Sequence, residues 1–397
     1  MSLLSKQVGA YLEKSSWIRK MFEAGSELKQ KHGAQNVFDF SLGNPDLLPP
    51  ARIKTALLDL AGELDTPMTL GYMPNAGLPG ARQALARHLS QEQQVPLEAT
   101  DIIITCGAAG GINALFRAVF EPGDQVVCPA PYFVEYGFYA QNYQGELVPV
   151  KCRPLNFELD LEAIERAITP GTKAVLINSP NNPTGRVYNA DELKVLVKII
   201  KNKSREYGRP IFLVSDEPYR FLTYDEISVP SLMTMYDHTI VISSFSKSLS
   251  IAGERVGFVA VSPDMPGKEE LLSGITLTNR ILGFVNAPVI GQVLMQKALN
   301  ETVDTGIYAR RRAAMAGVLE EAGVKFSMPG GGFYFFPQAP GGDDQAFTQK
   351  LFQENVLVVP GTGFGYPGYV RMAFCVSEDI ITRSGPAVKR AVRGMQG

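Results

Sequence analysis

Cysteine and histidine are scarce and scattered in this chain. Cys106, Cys128, Cys152 and Cys375 never approach a C-x-x-C spacing, and His32, His88 and His238 are equally dispersed. That removes the usual zinc patterns and leaves no disulfide framework. No apolar run reaches the about 18 residues that a membrane-spanning helix needs. The N-terminal stretch, residues 1–22, is interrupted by Lys6, Glu13, Lys14, Arg19 and Lys20, so it lacks the apolar segment of a secretion signal. Neither sign of charge dominates: the formal net charge is −2, which gives no reason to expect a nucleic acid partner. A cytoplasmic protein with reduced thiols is the expectation.

What is present is ordinary globular material on a large scale. The 397 residues exceed one usual core, and 45% hydrophobic with 20% charged residues argues against disorder. Short apolar runs recur: Ile102–Thr105, Gln125–Cys128, Gly145–Val150, Lys173–Ile177, Ile211–Val214, Thr239–Ile242 and Val256–Val261. Several are continuously apolar rather than alternating, as in strands covered on both faces. Between them, Leu159–Ile168 and Asp191–Ile200 carry one-sided apolar stripes of helical period. Alternation of this kind predicts an α/β domain with a mainly parallel seven-stranded sheet sandwiched by helices. Ligands of such sheets bind at the carboxyl ends of the strands.

Beyond residue 290 the pattern changes. One long helix is expected over Gly291–Leu319, followed by Gly330-Gly331-Gly332-Phe333-Tyr334 and a mixture of short elements. The expected division is an N-terminal segment, 1–47, joining a smaller α+β domain at 291–397, with the large domain at 48–290.

Polar residues gather after the apolar runs. Ser243-Ser244-Phe245-Ser246-Lys247 follows Ile242, with Arg255 shortly after. A lysine beside hydroxyls and a fixed cation suits imine formation with a phosphorylated aldehyde, of which pyridoxal phosphate is the obvious case. Alone, the lysine is equally an exposed loop residue. Asp216-Glu217-Pro218-Tyr219 follows Val214: Asp216 either pairs with a pyridine nitrogen or caps a helix. Asn181-Asn182-Pro183-Thr184-Gly185 reads as a turn or as a donor to the ring oxygen. Thr105-Cys106-Gly107-Ala108-Ala109-Gly110-Gly111 enters a helix and leaves backbone N–H groups open to a phosphate, unless it is merely a tight turn. Tyr132-Phe133 offers an aromatic face to a ring or to the core.

Taken in order, these segments resemble the class I/II aminotransferases of the fold-type-I pyridoxal phosphate superfamily, to which aspartate aminotransferases belong. The resemblance runs from about Ser41 to Phe374. It includes Gly43-Asn44-Pro45-Asp46, Gly71-Tyr72-Met73-Pro74, Asn181–Gly185, Asp216–Tyr219, Ser244–Lys247 with Arg255-Val256-Gly257, and Val370-Arg371-Met372-Ala373-Phe374. It implies that Lys247 is the Schiff-base lysine and proton shuttle, and that Asp216 is the pyridinium partner. Tyr219 and Asn182 would bind the ring oxygen. Ser244, Arg255 and the N–H groups of Ala108 and Ala109 would hold the phosphate, Phe133 would stack on the ring, and Arg371 would clamp the substrate α-carboxylate. Gly43 and Asn182 would also border the substrate. Tyr72 would reach the phosphate of a neighbouring subunit, making the working unit a homodimer with shared sites. The implied reaction moves an amino group from an L-amino acid to a 2-oxo acid by ping-pong kinetics.

Two departures bear on the substrate. Gly107-Ala108-Ala109-Gly110-Gly111 holds no lysine, where some relatives use one to bind a side-chain carboxylate. Arg280 lies near where aspartate-specific relatives place a second arginine, and it reads either as that residue or, preferably, as a surface or interface arginine. Specificity is also expected from the segment around Trp17 and Arg19. Two other functions compete: a β-C–S lyase on the same scaffold, and a non-catalytic cofactor-binding regulator. The regulator would need an N-terminal DNA-binding domain, for which the start of the resemblance by Gly43 leaves no room.

Overall fold

The structure is a computed structural model that describes residues 3–14, 25, 27–31 and 33–395. Trp17 and Arg19 therefore lie outside the described residues. The first strand, β1 (Phe38–Asp39), precedes a seven-stranded sheet built from β2 (Ile102–Cys106), β3 (Gln125–Ala130), β4 (Glu146–Lys151), β5 (Thr172–Asn178), β6 (Phe212–Asp216), β7 (Thr239–Ser244) and β8 (Val256–Val261). Their spatial order is β2-β8-β7-β6-β5-β3-β4. Only β8 runs against its neighbours, β2 and β7, and the pairs from β7 to β4 are parallel.

The continuous apolar runs are explained by cover on both faces. All six residues of β8 are buried, as are six of seven in β5. The edge strand β4 is instead largely open. One layer of cover, around Ile112, Leu115 and Phe116, comes from the helix Gly107–Val119. The other, around Leu193, Leu196 and Ile200, comes from the helix Ala190–Glu206. That helix starts where it does because the Asn189 side chain accepts from the N–H groups of Asp191 and Glu192, and Glu192 reaches back to the Asn189 N–H. Asp160 likewise caps the helix Leu161–Ala167 through the Ala163 N–H.

The remaining strands are short: β9 (Tyr334–Phe335), β10 (Val356–Leu357), β11 (Val359–Pro360) and β12 (Val370–Ala373). β11, β12 and β9 form a three-stranded antiparallel sheet, while β1 pairs in parallel with β10. Phe40, Phe333, Phe335, Phe347 and Phe374 share one core with the helices Thr305–Glu321 and Glu378–Arg393.

The single helix expected over Gly291–Leu319 is in fact two, Val289–Ala298 and Thr305–Glu321. Asp304 caps the second through the Gly306 N–H, which fixes a new start rather than a continuation. Leu294, Met295 and Ala298 of the first helix pack beside Ile53, Leu85 and Leu89. Among the described residues no helix is long and apolar enough to cross a membrane.

Candidate active site

The carboxyl ends of the parallel strands converge. Asn178 ends β5, Asp216 ends β6, Ser244 ends β7, and Cys106 ends β2 before the helix Gly107–Val119. The first three border a cavity of about 340 Å³ whose lining includes Gly43, Ala108, Ala109, Phe133, Asn182, Asp216, Tyr219, Ser244, Lys247, Arg255 and Arg371. Eleven residues singled out in the sequence thus meet in one place, although they span the chain from Gly43 to Arg371.

Asp216 is buried at the cavity floor. Its Oδ2 accepts a hydrogen bond from Tyr136, and its backbone carbonyl accepts from Asn178 Nδ2 at 2.9 Å. Its Oδ1 is buried and has no partner. Burial pushes this carboxyl up to about 7; the Tyr136 bond opposes the rise and nearby Glu217 adds to it. An orphaned acceptor of this kind fits a ring N–H entering from the cavity.

Lys247 sits across the cavity, with Nζ donating to the Gly43 carbonyl at 2.8 Å. Burial lowers its amine to about 8; Cys375 opposes, while Arg371 and Arg255 add to the fall. Near neutral pH such an amine has an accessible unprotonated form, the nucleophile that imine chemistry requires.

The phosphate end is a backbone cradle. The helix Gly107–Val119 begins without a side-chain cap, so its first N–H groups remain available. A Cβ on Gly257 would stand 2.6 Å from the Gly107 carbonyl carbon and 2.8 Å from the Ala108 nitrogen. A Cβ on Gly107 would stand 2.8 Å from Arg255 Nη2, which puts the guanidinium beside the helix start. Ser244 is buried on the neighbouring strand. Together with the orphaned Asp216 oxygen, this donor set fits pyridoxal phosphate.

Arg371 is buried and stacked between the rings of Tyr334 and Phe364, each 4.9 Å from the guanidinium carbon. Nη1 donates to Asn182 Oδ1 at 3.2 Å and Nη2 to the Ser41 carbonyl at 2.6 Å. The buried Nε has no partner. A planar cation held on three sides with a free N–H is prepared for a carboxylate. The Asn182 bond uses its amide oxygen and leaves the NH₂ to donate.

Four residues of the site were not singled out from sequence. Tyr136 orients Asp216. Tyr334 shares a 3.0 Å hydrogen bond with Tyr219, both phenols being buried. Asn178 holds both the Asp216 carbonyl and, through Oδ1, the Asn182 N–H at 2.7 Å. Glu135 also lines the cavity. Tyr334 belongs to the triple-glycine segment already noted, and Tyr136 follows Phe133 by three positions, its N–H donating to the Phe133 carbonyl at 3.1 Å.

Two expected residues lie elsewhere. Tyr72 is 90% exposed and borders a separate cleft with Phe284 and Asn286. Arg280 is exposed on the last turn of the helix Lys268–Ile281, in a cleft shared with Asp101 and Lys268. Neither reaches the cavity of its own chain.

Residues 35–383 match the family model of aminotransferase class I and II. The chain belongs to this family. It is a pyridoxal phosphate-dependent aminotransferase of fold type I. It is 31% identical over 371 residues to a probable aspartate/prephenate aminotransferase of Aquifex aeolicus, covering 90% of this chain and 91% of that one. It is 32% identical over 382 residues to a probable N-acetyl-LL-diaminopimelate aminotransferase of Bacillus subtilis, covering 92% and 90%. A crystal structure of an aminotransferase from Eubacterium rectale superposes over 100% of both chains, with a TM-score of 0.95 at 36% identity.

Proposed function

We propose that this aminotransferase exchanges an amino group between an L-amino acid and a 2-oxo acid in two half-reactions at the cavity between Lys247 and Asp216. The observation that carries the site assignment is the unpartnered, buried Oδ1 of Asp216 in the same cavity as the depressed-pKa amine of Lys247. The cofactor, when bound, supplies an electron sink for the electrons released at the substrate Cα.

The chain's own residues do the rest. Asp216 would accept from the ring nitrogen and favour its protonated form, with Tyr136 keeping the carboxylate aimed. Asn182 and Tyr219 donate to the ring oxygen, and Phe133 covers one ring face. Arg255, Ser244 and the N–H groups of Ala108 and Ala109 bind the phosphate. Arg371 fixes the substrate α-carboxylate, which orients the Cα–H bond. Lys247 Nζ would take up that proton and carry it while the amine is exchanged. Gly43 borders the space where the substrate enters.

The reading extends to a cytoplasmic homodimer in which Tyr72 completes the partner's phosphate site and Arg280 faces the interface. Support comes from exposed apolar residues close in sequence to these two: Met68 and Leu70 near Tyr72, and Leu277 and Ile281 near Arg280. It extends also to two domains, 48–290 and 291–397 with 1–47. The β1–β10 pairing supports the union of the chain ends.

Half-reaction spectroscopy across the amino acids tests the function. The cofactor absorption should shift as the amine is transferred, and a 2-oxo acid should reverse it. Release of ammonia and pyruvate from cysteine-type substrates, without reversible amine transfer, would instead mark a lyase. Lys247→Ala should lose turnover by at least about a thousandfold, within the range of lost proton-transfer catalysis. Borohydride should trap the cofactor on Lys247 in the native protein alone.

A further inference from the structure

Most charged groups facing the cavity have a task in the reading above, on which this inference rests. Lys247 serves the chemistry, Arg255 the phosphate, Arg371 the α-carboxylate and Asp216 the ring nitrogen. One charged side chain is left over. Glu135 begins the helix Glu135–Gln141, two residues after Phe133, and lines the same cavity. Its Oε2 is buried and has no hydrogen-bond partner. Burial raises its pKa, and its own backbone N–H together with the more distant charge of Arg371 opposes the rise.

We infer that Glu135 is a specificity-determining residue that receives a cationic or amino-bearing substrate side chain. Leaving a buried acceptor unpaired is costly, so a ligand that supplies a donor gains what the free protein lacks. Among the described residues the cavity holds no cation beyond Lys247, Arg255 and Arg371 to receive a side-chain carboxylate. Ala108 and Ala109, at the entry to the helix, supply none. An acidic side chain arriving beside Glu135 meets a like charge, whereas an ammonium group meets a partner. An acceptor that must be satisfied discriminates more sharply than an apolar wall, because the analogue lacking the donor leaves it unpaired.

The test uses isosteric pairs on the cofactor-loaded, full-length protein. Half-reaction kcat/KM for lysine should exceed that for norleucine by at least about tenfold, a ratio within reach of one charge-assisted hydrogen bond. Glu135→Gln keeps the size and removes the charge. It should bring the lysine-to-norleucine ratio toward one and raise the glutamate-to-glutamine ratio. Calorimetry supplies a readout independent of turnover: 5-aminopentanoate should bind the native protein more tightly than pentanoate, and the difference should vanish in E135Q. A native protein with no preference for the ammonium in either assay overturns the inference, as does a preference that E135Q leaves unmoved. Failure of every amino acid to react, with ammonium selectivity intact by calorimetry, would overturn the aminotransferase reading and leave the role of Glu135 standing.

Discussion

The phenol of Tyr136 donates to one oxygen of Asp216, and the other oxygen of that carboxylate has no partner in the protein. The two residues are separated by 80 positions. The tyrosine fixes the plane of the carboxylate and so the direction in which the free oxygen points.

Tyr136→Phe should therefore weaken the cofactor site without emptying it. Losing a hydrogen bond to a charged group costs about 1.5–3 kcal/mol, or roughly ten- to a hundredfold in affinity. The carboxyl pKa should rise further, since the Tyr136 bond is what holds it down. Titration of the apoprotein with pyridoxal phosphate, followed by absorbance from pH 6 to 8.5, checks both effects. An unchanged dissociation constant would remove Tyr136 from the site.

Asp216 also predicts how the apoprotein responds to pH. Its folded pKa, about 7, lies above the ordinary carboxylate value of 3.8, so between these limits the folded chain holds a proton that the unfolded chain has lost. Its contribution to stability is complete below pH about 4 and falls as pH rises through about 7, by on the order of 4 kcal/mol. Asp216→Asn should flatten that part of the profile. Denaturant melts of both apoproteins at pH 5 and pH 8 measure it: the native protein should lose more stability on going to pH 8 than the variant does. Lys247 acts in the opposite sense at higher pH, because its depressed amine adds stability as pH rises from about 8 towards 10.5. The two pH values are chosen to stay largely below that window.

Gly257→Ala should damage the cradle from behind. The new methyl group would meet the backbone of Gly107, Ala108 and Ser243, at 2.6–2.8 Å, and backbone cannot swing aside as a long side chain does. A loss of about 1–3 kcal/mol in stability is expected from overpacking. The sharper readout compares pyridoxal phosphate with pyridoxal. The affinity gained from the phosphate should shrink in the variant, whereas a general loss of fold would weaken both ligands alike.

The large sheet was legible in the sequence because burial on both faces writes a strand as an unbroken apolar run, as in Val256–Val261. The strand-end groups were legible for a related reason: Asp216 and Lys247 each lie within five residues of the end of an apolar run. The phenol pair Tyr219–Tyr334 was not, since its members are 115 residues apart and come together only when the short β9–β12 sheet docks. Nothing in the sequence around Glu135 marks it out, and only the cavity lining shows that it borders the site. The break between Ala298 and Thr305 was hidden by apolar spacing that continues across it. Tyr72 and Arg280 show a further limit, because residue type does not say whether a side chain lines the cavity of its own chain.

Arg371 donates to the carbonyl of Ser41 across 330 residues, and β1 pairs with β10 just beyond. A growing chain emerges in order, so Ser41 must wait for nearly all of the protein before its arginine exists. The groups assigned to the cofactor all precede Val256, while the carboxylate clamp closes last. In chain order, then, the residues assigned to the cofactor are all made before the arginine assigned to the substrate.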